Sequence, residues 1–255
     1  MSIFRSVLPG DHDAPSVFQP DHLLREARRQ KRLPERDVPG ICVLDPDGDL
    51  VRHLRATGQG RPSPGWACYH TDLVEFMLAE GTMAGVVGCA VGAPFAALVA
   101  EQLSASGCRF LVSVTSAGRI ADLGAPPYVV LIDRTLRDEG TSLHYVRPGT
   151  EPFMPAPNPA LIYRIETALR RAFPHPDDVA LHRGATWTTD APYRETEAAI
   201  AHAKSFGVFA VEWKRRRSMR SPRPEASRSS VWPTSPTRWG SRRATISRRA
   251  RPAAP

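Results

Sequence analysis

Cysteine is scarce in this chain, four residues in 255, and Cys42, Cys68, Cys89 and Cys108 form no CxxC pair. That spacing removes zinc ribbons and fingers, and positions in or beside apolar segments point to reduced thiols instead of disulfides. No metal site is expected. Internal repeats are also missing, which sets aside solenoids and propellers. Met1 to Gly10 lacks the basic start and apolar run of a secretory signal, so a cytoplasmic protein is expected. Long apolar runs are confined to Ala84–Ala100, 17 residues without a charge. This is near membrane-spanning length, but Gly88, Gly92 and Pro94 divide it into a buried strand and a helix, with Pro94 suited to a first helical turn. Core is the stronger reading, and no membrane partner is expected.

Acidic residues are nearly absent from the last 43 positions, Trp213 to Pro255. They hold 13 of the 34 Lys and Arg and one acid, Glu225. The 212 residues before them carry 21 basic and 25 acidic groups. A chain of formal charge +8 and pI near 9.8 is therefore a mildly acidic body joined to a basic end, and the pI says nothing about the body. From Ser218 onward Arg, Ser and Pro alternate with Ala and isolated Trp, without periodicity and with too few aliphatic residues to offset chain entropy. Disorder is expected there.

The join is abrupt. Gly207-Val-Phe-Ala-Val-Glu212 reads as a buried strand and runs straight into Trp-Lys-Arg-Arg-Arg with no turn signal. A basic arm for nucleic acid is one explanation; translation in a shifted frame is the other. If the Glu212 codon ends in A, Trp213-Lys214 read one base earlier gives Met-Glu. Permitted codons for Arg215 to Arg220 can then give Ala-Ala-Ala-Leu-Tyr-Ala, an ordinary helix. Val231 to Gly240 can give Cys-Leu-Ala-His-Val-Thr-Asn-Thr-Met-Gly, an ordinary strand and loop. A single-base deletion near the Glu212 codon is the preferred reading, and the nucleic-acid arm the weaker one.

Three segments are thus expected: 1–37, an N-terminal extension with a basic helix near His22 to Lys31; 38–212, an incomplete α/β domain; and 213–255, the out-of-frame tail. The body is long enough for one such domain. Strands are read at Ile41–Leu44, Gly85–Cys89, Arg109–Val114, Tyr128–Asp133, Val179–Thr186 and Val208–Val211. Helices are read at Phe95–Ser106, Pro159–Phe173 and Arg194–Ser205. The alternation, with several continuously apolar strands, implies a mixed, largely parallel sheet flanked by helices. Such sheets bind ligands at the carboxyl ends of their strands.

Polar motifs fall at those ends. In Asp45-Pro-Asp-Gly-Asp-Leu-Val-Arg52 a glycine lets backbone N–H groups approach an anion and an arginine adds charge-assisted bonds, a combination suited to phosphate. An exposed Asp-Gly hairpin turn accounts for the same residues. A calcium loop does not, since an EF-hand needs Gly where Leu50 stands. Thr115 and Ser116, before Gly118, present hydroxyls to an oxyanion at another strand end. Gly88 to Pro94 opens a helix whose dipole favours an anion, or else provides tight strand–helix packing.

Together these motifs resemble the phosphate-dependent nucleoside phosphorylases of the purine nucleoside and uridine phosphorylase type. The resemblance covers roughly Val38 to Glu212. It rests on Gly48-Asp49 with Arg52, Val91-Gly-Ala-Pro94, Thr115-Ser-Ala-Gly118, Arg137-Asp-Glu-Gly-Thr-Ser-Leu-His-Tyr145, Thr188-Thr-Asp-Ala-Pro-Tyr193 and Ala210-Val-Glu212. It implies cleavage of a nucleoside to free base and (deoxy)ribose 1-phosphate, with inorganic phosphate as co-substrate and no cofactor. Gly48, Arg52, Thr115 and Ser116 would hold phosphate, Tyr193 would flank the base, and Glu212 would begin a Glu-Met-Glu motif gripping the ribose. No covalent nucleophile is implied, and no catalytic residue is assigned. The intact family form is implied to be a homo-oligomer.

Two departures bear on activity. Ser113 stands where relatives have a phosphate-binding arginine, a role open to Arg119 or Arg137. Trp213 and Lys214 replace the Met and second Glu, the two residues a frame shift recovers, so the chain as written is expected to be impaired or inactive. His70 and His144 could approach a sugar hydroxyl or phosphate, or serve as hydrogen-bonded structural histidines. Two other functions stay open: a water-using nucleosidase of the same fold, and nucleic-acid binding through the tail.

Overall fold

The computed structural model describes residues 14–146, 152–154, 158–175, 179–212 and 243–245. They divide into two compact units, one of residues 14–112 and 140–146, the other of 113–139, 152–154, 158–175, 179–212 and 243–245.

The first unit begins with α1 (Pro20–Lys31). Pro20 opens it, Asp21 lies in its first turn and Arg28, Arg29 and Lys31 in its last, charges that suit the helix dipole at both ends. Its Leu24 and Ala27 are buried with Ala67. The sheet is built from β1 (Ile41–Asp45), β2 (Gly60–Pro62), β3 (Val74–Met77), β4 (Met83–Gly88) and β5 (Phe110–Ser113), in the order β5-β1-β4-β3-β2. β1 and β4 run parallel, with Ile41 opposite Ala84 and Asp45 opposite Gly88, while β3 is antiparallel to both its neighbours.

Alternate residues of β1 and β4 face different helices. Cys42, Leu44 and Val87 join Val99 and Leu103 of α3 (Ala93–Ala105) in one core. Val43 and Val86 join Leu50, Val51 and Leu54 of α2 (Asp49–Ala56) in another. The 17-residue uncharged run is thus strand then helix, and among the described residues no helix is long and apolar enough to cross a membrane. Helix α2 was not legible in the sequence. The Asp-Gly turn leads into it instead of closing a hairpin, because Gly48 adopts φ 72° and starts a helical turn.

The second unit contains β6 (Gly118–Arg119), β7 (Tyr128–Asp138), β8 (Phe153–Met154), β9 (Ala180–Thr189) and β10 (Val208–Glu212), in the order β6-β10-β9-β7-β8. The central three are parallel, and β6 and β8 are antiparallel edges. β7 outlasts its expected end at Asp133, since a register shift between Ile132 and Arg134 carries the charged pair past and pairing resumes through Asp138. Helix α4 (Pro159–Ala172) starts where the Asn158 side chain accepts the Ala160 N–H at 2.9 Å.

Helix α5 (Glu197–Ser205) begins three residues later than expected. The reason is Thr196, whose hydroxyl oxygen caps the Ala199 N–H at 3.2 Å. Ala199, Ile200 and Ala203 of α5 pack with Leu136, Trp187, Val208 and Val211 on one face of this sheet.

The N-terminal 13 residues lie outside the described residues, as does most of the 213–255 tail and with it the expectation of disorder. The exception is β11 (Arg243–Thr245), a strand where three residues are too few to display a period.

Candidate active site

In the first unit, β1 and β4 end side by side, and Asp45 ties the turns that follow them. Its carbonyl accepts the N–H groups of Gly48 and Cys89, both at 2.9 Å. Its buried carboxylate accepts the Val51 N–H at 3.0 Å, in the first turn of α2. Burial pushes the Asp45 carboxyl upward against those amide bonds, and Asp47 and Asp49 add to the shift. The side chain thus occupies the helix N-terminus that the motif offered to an outside anion.

Gly48 therefore contributes clearance. A Cβ there would lie 2.8 Å from Cys89 Sγ and 2.9 Å from Arg52 Nη1. Its own N–H is turned inward to Asp45. Arg52 is solvent-facing and paired with Asp49 one turn away. Cys89 is the one exposed cysteine of the four and has φ 60°. Gly92, φ 87°, precedes α3, with Pro94 in the first turn.

In the second unit, Thr115 and Ser116 lie between β5 and β6. Thr115 is buried and its hydroxyl donates to the Ser116 carbonyl at 3.2 Å. β6 then pairs with β10, Gly118 opposite Val211. Only glycine fits, because a Cβ at Gly118 would come within 2.9 Å of Val211 Cγ1. The Thr115–Ser116 segment thus leads directly to the end of β10, where Glu212 is buried and accepts the Thr188 hydroxyl proton at 2.7 Å.

Register extends the row: Glu212 is opposite Thr188, and Thr188 opposite Arg137. The carboxyl ends of β10, β9 and β7 thus present Glu212, Thr188 and Arg137 side by side. The intervening residues Val211, Trp187 and Leu136 face α5. Trp187 Nε1 donates to Asp138 Oδ2 at 3.0 Å, tying β9 to β7.

Tyr193 stands 86% exposed in the short 3-10 turn Pro192–Arg194 after β9. Two residues on, Glu195 is half-buried, one carboxyl oxygen has no hydrogen-bond partner among the described residues, and desolvation pushes its carboxyl up to about 7. Ser113 is buried at the end of β5, its hydroxyl unpartnered among the described residues.

Of the two histidines singled out, His144 is exposed and ends the 3-10 turn Thr141–His144. His70 lies edge-on to Phe95, 6.4 Å between ring centroids. Among the described residues no group of three His, Cys, Asp or Glu could hold a metal ion.

Gly48 and Arg52 accordingly belong to one unit, and Thr115, Ser116, Tyr193 and Glu212 to the other. Within the latter, Ser116 and Glu212 are joined through the β6–β10 pair. Sequence reasoning missed Asp45 and Glu195. It quoted Thr188 only inside a motif, though a threonine at the end of a parallel strand is a recognisable signal.

A sequence model of the Phosphorylase superfamily matches residues 41–212. The fold is similar to a uridine phosphorylase of Vibrio fischeri complexed with 6-hydroxy-1-naphthoic acid, at 16% identity and TM-score 0.59, covering 82% of this chain and 76% of that one. It is also similar to a Helicobacter pylori MTAN variant with 5'-methylthioadenosine in its active site, at 12% identity and TM-score 0.55, covering 82% and 84%. No curated protein sequence matches significantly.

Proposed function

The chain belongs to the phosphorylase superfamily, whose phosphorylases and nucleosidases cleave the glycosidic bond of nucleosides, and from that premise we propose that its reaction is phosphorolysis of a nucleoside. A phosphate oxygen bonds to the anomeric carbon as the carbon–nitrogen bond breaks. The base leaves with the bonding electrons and takes up a proton, and the sugar departs as its 1-phosphate. Glu212 accepts hydrogen bonds from the sugar hydroxyls, Tyr193 flanks the base, and the Thr115 and Ser116 hydroxyls meet the anion. The protein supplies position and charge.

The observation that carries this reading is the buried Glu212 carboxylate, oriented by Thr188 at 2.7 Å at the ends of parallel strands. A second reading, attack by water, draws on three features of the residues expected to hold phosphate: Gly48 turns its N–H inward, Arg52 is paired with Asp49, and position 113 is serine. Base release that rises with inorganic phosphate supports the first; release indifferent to phosphate supports the second.

The chain as written keeps Glu212 but follows it with Trp213 and Lys214. A lysine at the second carboxylate position reverses the charge beside the sugar. We attribute this to a single-base deletion near the Glu212 codon, and expect the 255-residue chain to be impaired. Resequencing the gene across that codon tests it: a frame that stays open through Trp213 on every read, with tail-dependent, salt-sensitive nucleic-acid binding, would favour a genuine basic arm.

A further inference from the structure

We infer that Arg137 is a positioning residue that holds the Glu212 carboxylate ionised and in place from two strands away. This rests on the reading of Glu212 as the sugar-binding carboxylate. Residues in register on neighbouring parallel strands point to the same face, and strands lie about 4.8 Å apart, so the Cα atoms of Arg137 and Glu212 are about 10 Å apart. The residue between them is Thr188, short enough for the two long side chains to extend over it. The opposite face is taken by Leu136, Trp187 and Val211 against α5, which leaves Arg137, Thr188 and Glu212 together on the other.

One step back along the same face, Thr135 and Thr186 are also in register. Both are buried, and their hydroxyls lack hydrogen-bond partners among the described residues. Glu212 thus closes a row of buried hydroxyls, where an ionised carboxylate is costly unless a cation faces it.

Among the described residues, the other charged groups near these strand ends are few. Arg119 on β6 pairs with Asp122 at 3.6 Å and donates to the Gly124 carbonyl. On β7 and β9, Asp138 receives the Trp187 N–H, and Glu139 and Asp190 follow the last strand residues. Arg137 is the cation in register with Glu212 in that row.

The test is isotope-edited infrared spectroscopy of the full chain labelled with carbon-13 glutamate, titrated with acid, the Glu212 band being assigned by its loss in Glu212→Gln. Arg137→Met should raise the protonation midpoint by about one pH unit or more, and Arg137→Lys should restore it. An unchanged midpoint in the Met variant, or a Lys variant no better than Met, overturns the assignment. Should Arg137→Met fail to fold, the Arg137 Nε–Hε nitrogen-15 resonance is compared between the wild-type chain and Glu212→Gln, where a shift is expected and an unmoved signal overturns the proposal. Neither measurement needs substrate turnover, so a failure here is separable from a failure of the phosphorolysis reading.

Discussion

At Gly48 the backbone is left-handed and the space for a side chain is already filled by Cys89 Sγ and the Arg52 guanidinium. Gly48→Ala therefore meets both conformational strain and a clash, and should lower stability by about 1–3 kcal/mol in urea unfolding. Glu195 gives a pH signature. Its carboxyl titrates near 7 in the folded chain against about 4.5 when unfolded. Below 4.5 it is protonated in both states and costs nothing; between 4.5 and 7 the unfolded state releases its proton first, so stability falls as pH rises. Glu195→Gln should therefore raise the urea midpoint relative to wild type at pH 8 and leave it unchanged at pH 4. An equal gain at both pH values would trace the effect to packing.

Among the elements, α3 is the one whose apolar face the first unit depends on most directly: Val99, Ala100 and Leu103 are fully buried in its core. Leu103→Ala should cost about 2–5 kcal/mol, read as a lowered urea midpoint with an unchanged slope. β1, β4, α3, α4 and β10 were legible in the sequence because each joins an apolar run to a local start or stop signal. Helix α2 was not: it is short, highly charged and preceded by Asp-Gly. β2 includes Pro62, which argues against a strand except at a sheet edge, where it lies. β6 and β8 have two residues each and exist through their partners.

The same limit applies to the candidate site. Glu212 and the Thr115–Ser116 segment could be named from motifs, whereas the row of Glu212, Thr188 and Arg137 exists only through sheet register. The inward bond of the Gly48 N–H likewise depends on the Asp45 carbonyl reaching back across the turn. No spacing rule reveals it.

For the whole molecule, the division of charge is the dominant fact. An acidic body whose strand β10 ends in the buried carboxylate of Glu212 meets a tail bearing 13 basic groups and one acid immediately afterwards. We propose that the body is a nucleoside phosphorylase in design and that the residues after Glu212 deprive it of the ribose grip. The deciding measurement is release of free base from inosine and uridine, with and without inorganic phosphate, by the 255-residue chain and by the product of its gene with one base restored after the Glu212 codon. Phosphate-dependent release by the restored chain, with none above background from the 255-residue chain, is the predicted result. Equal turnover by the 255-residue chain, or release from the restored chain that ignores phosphate, would contradict it.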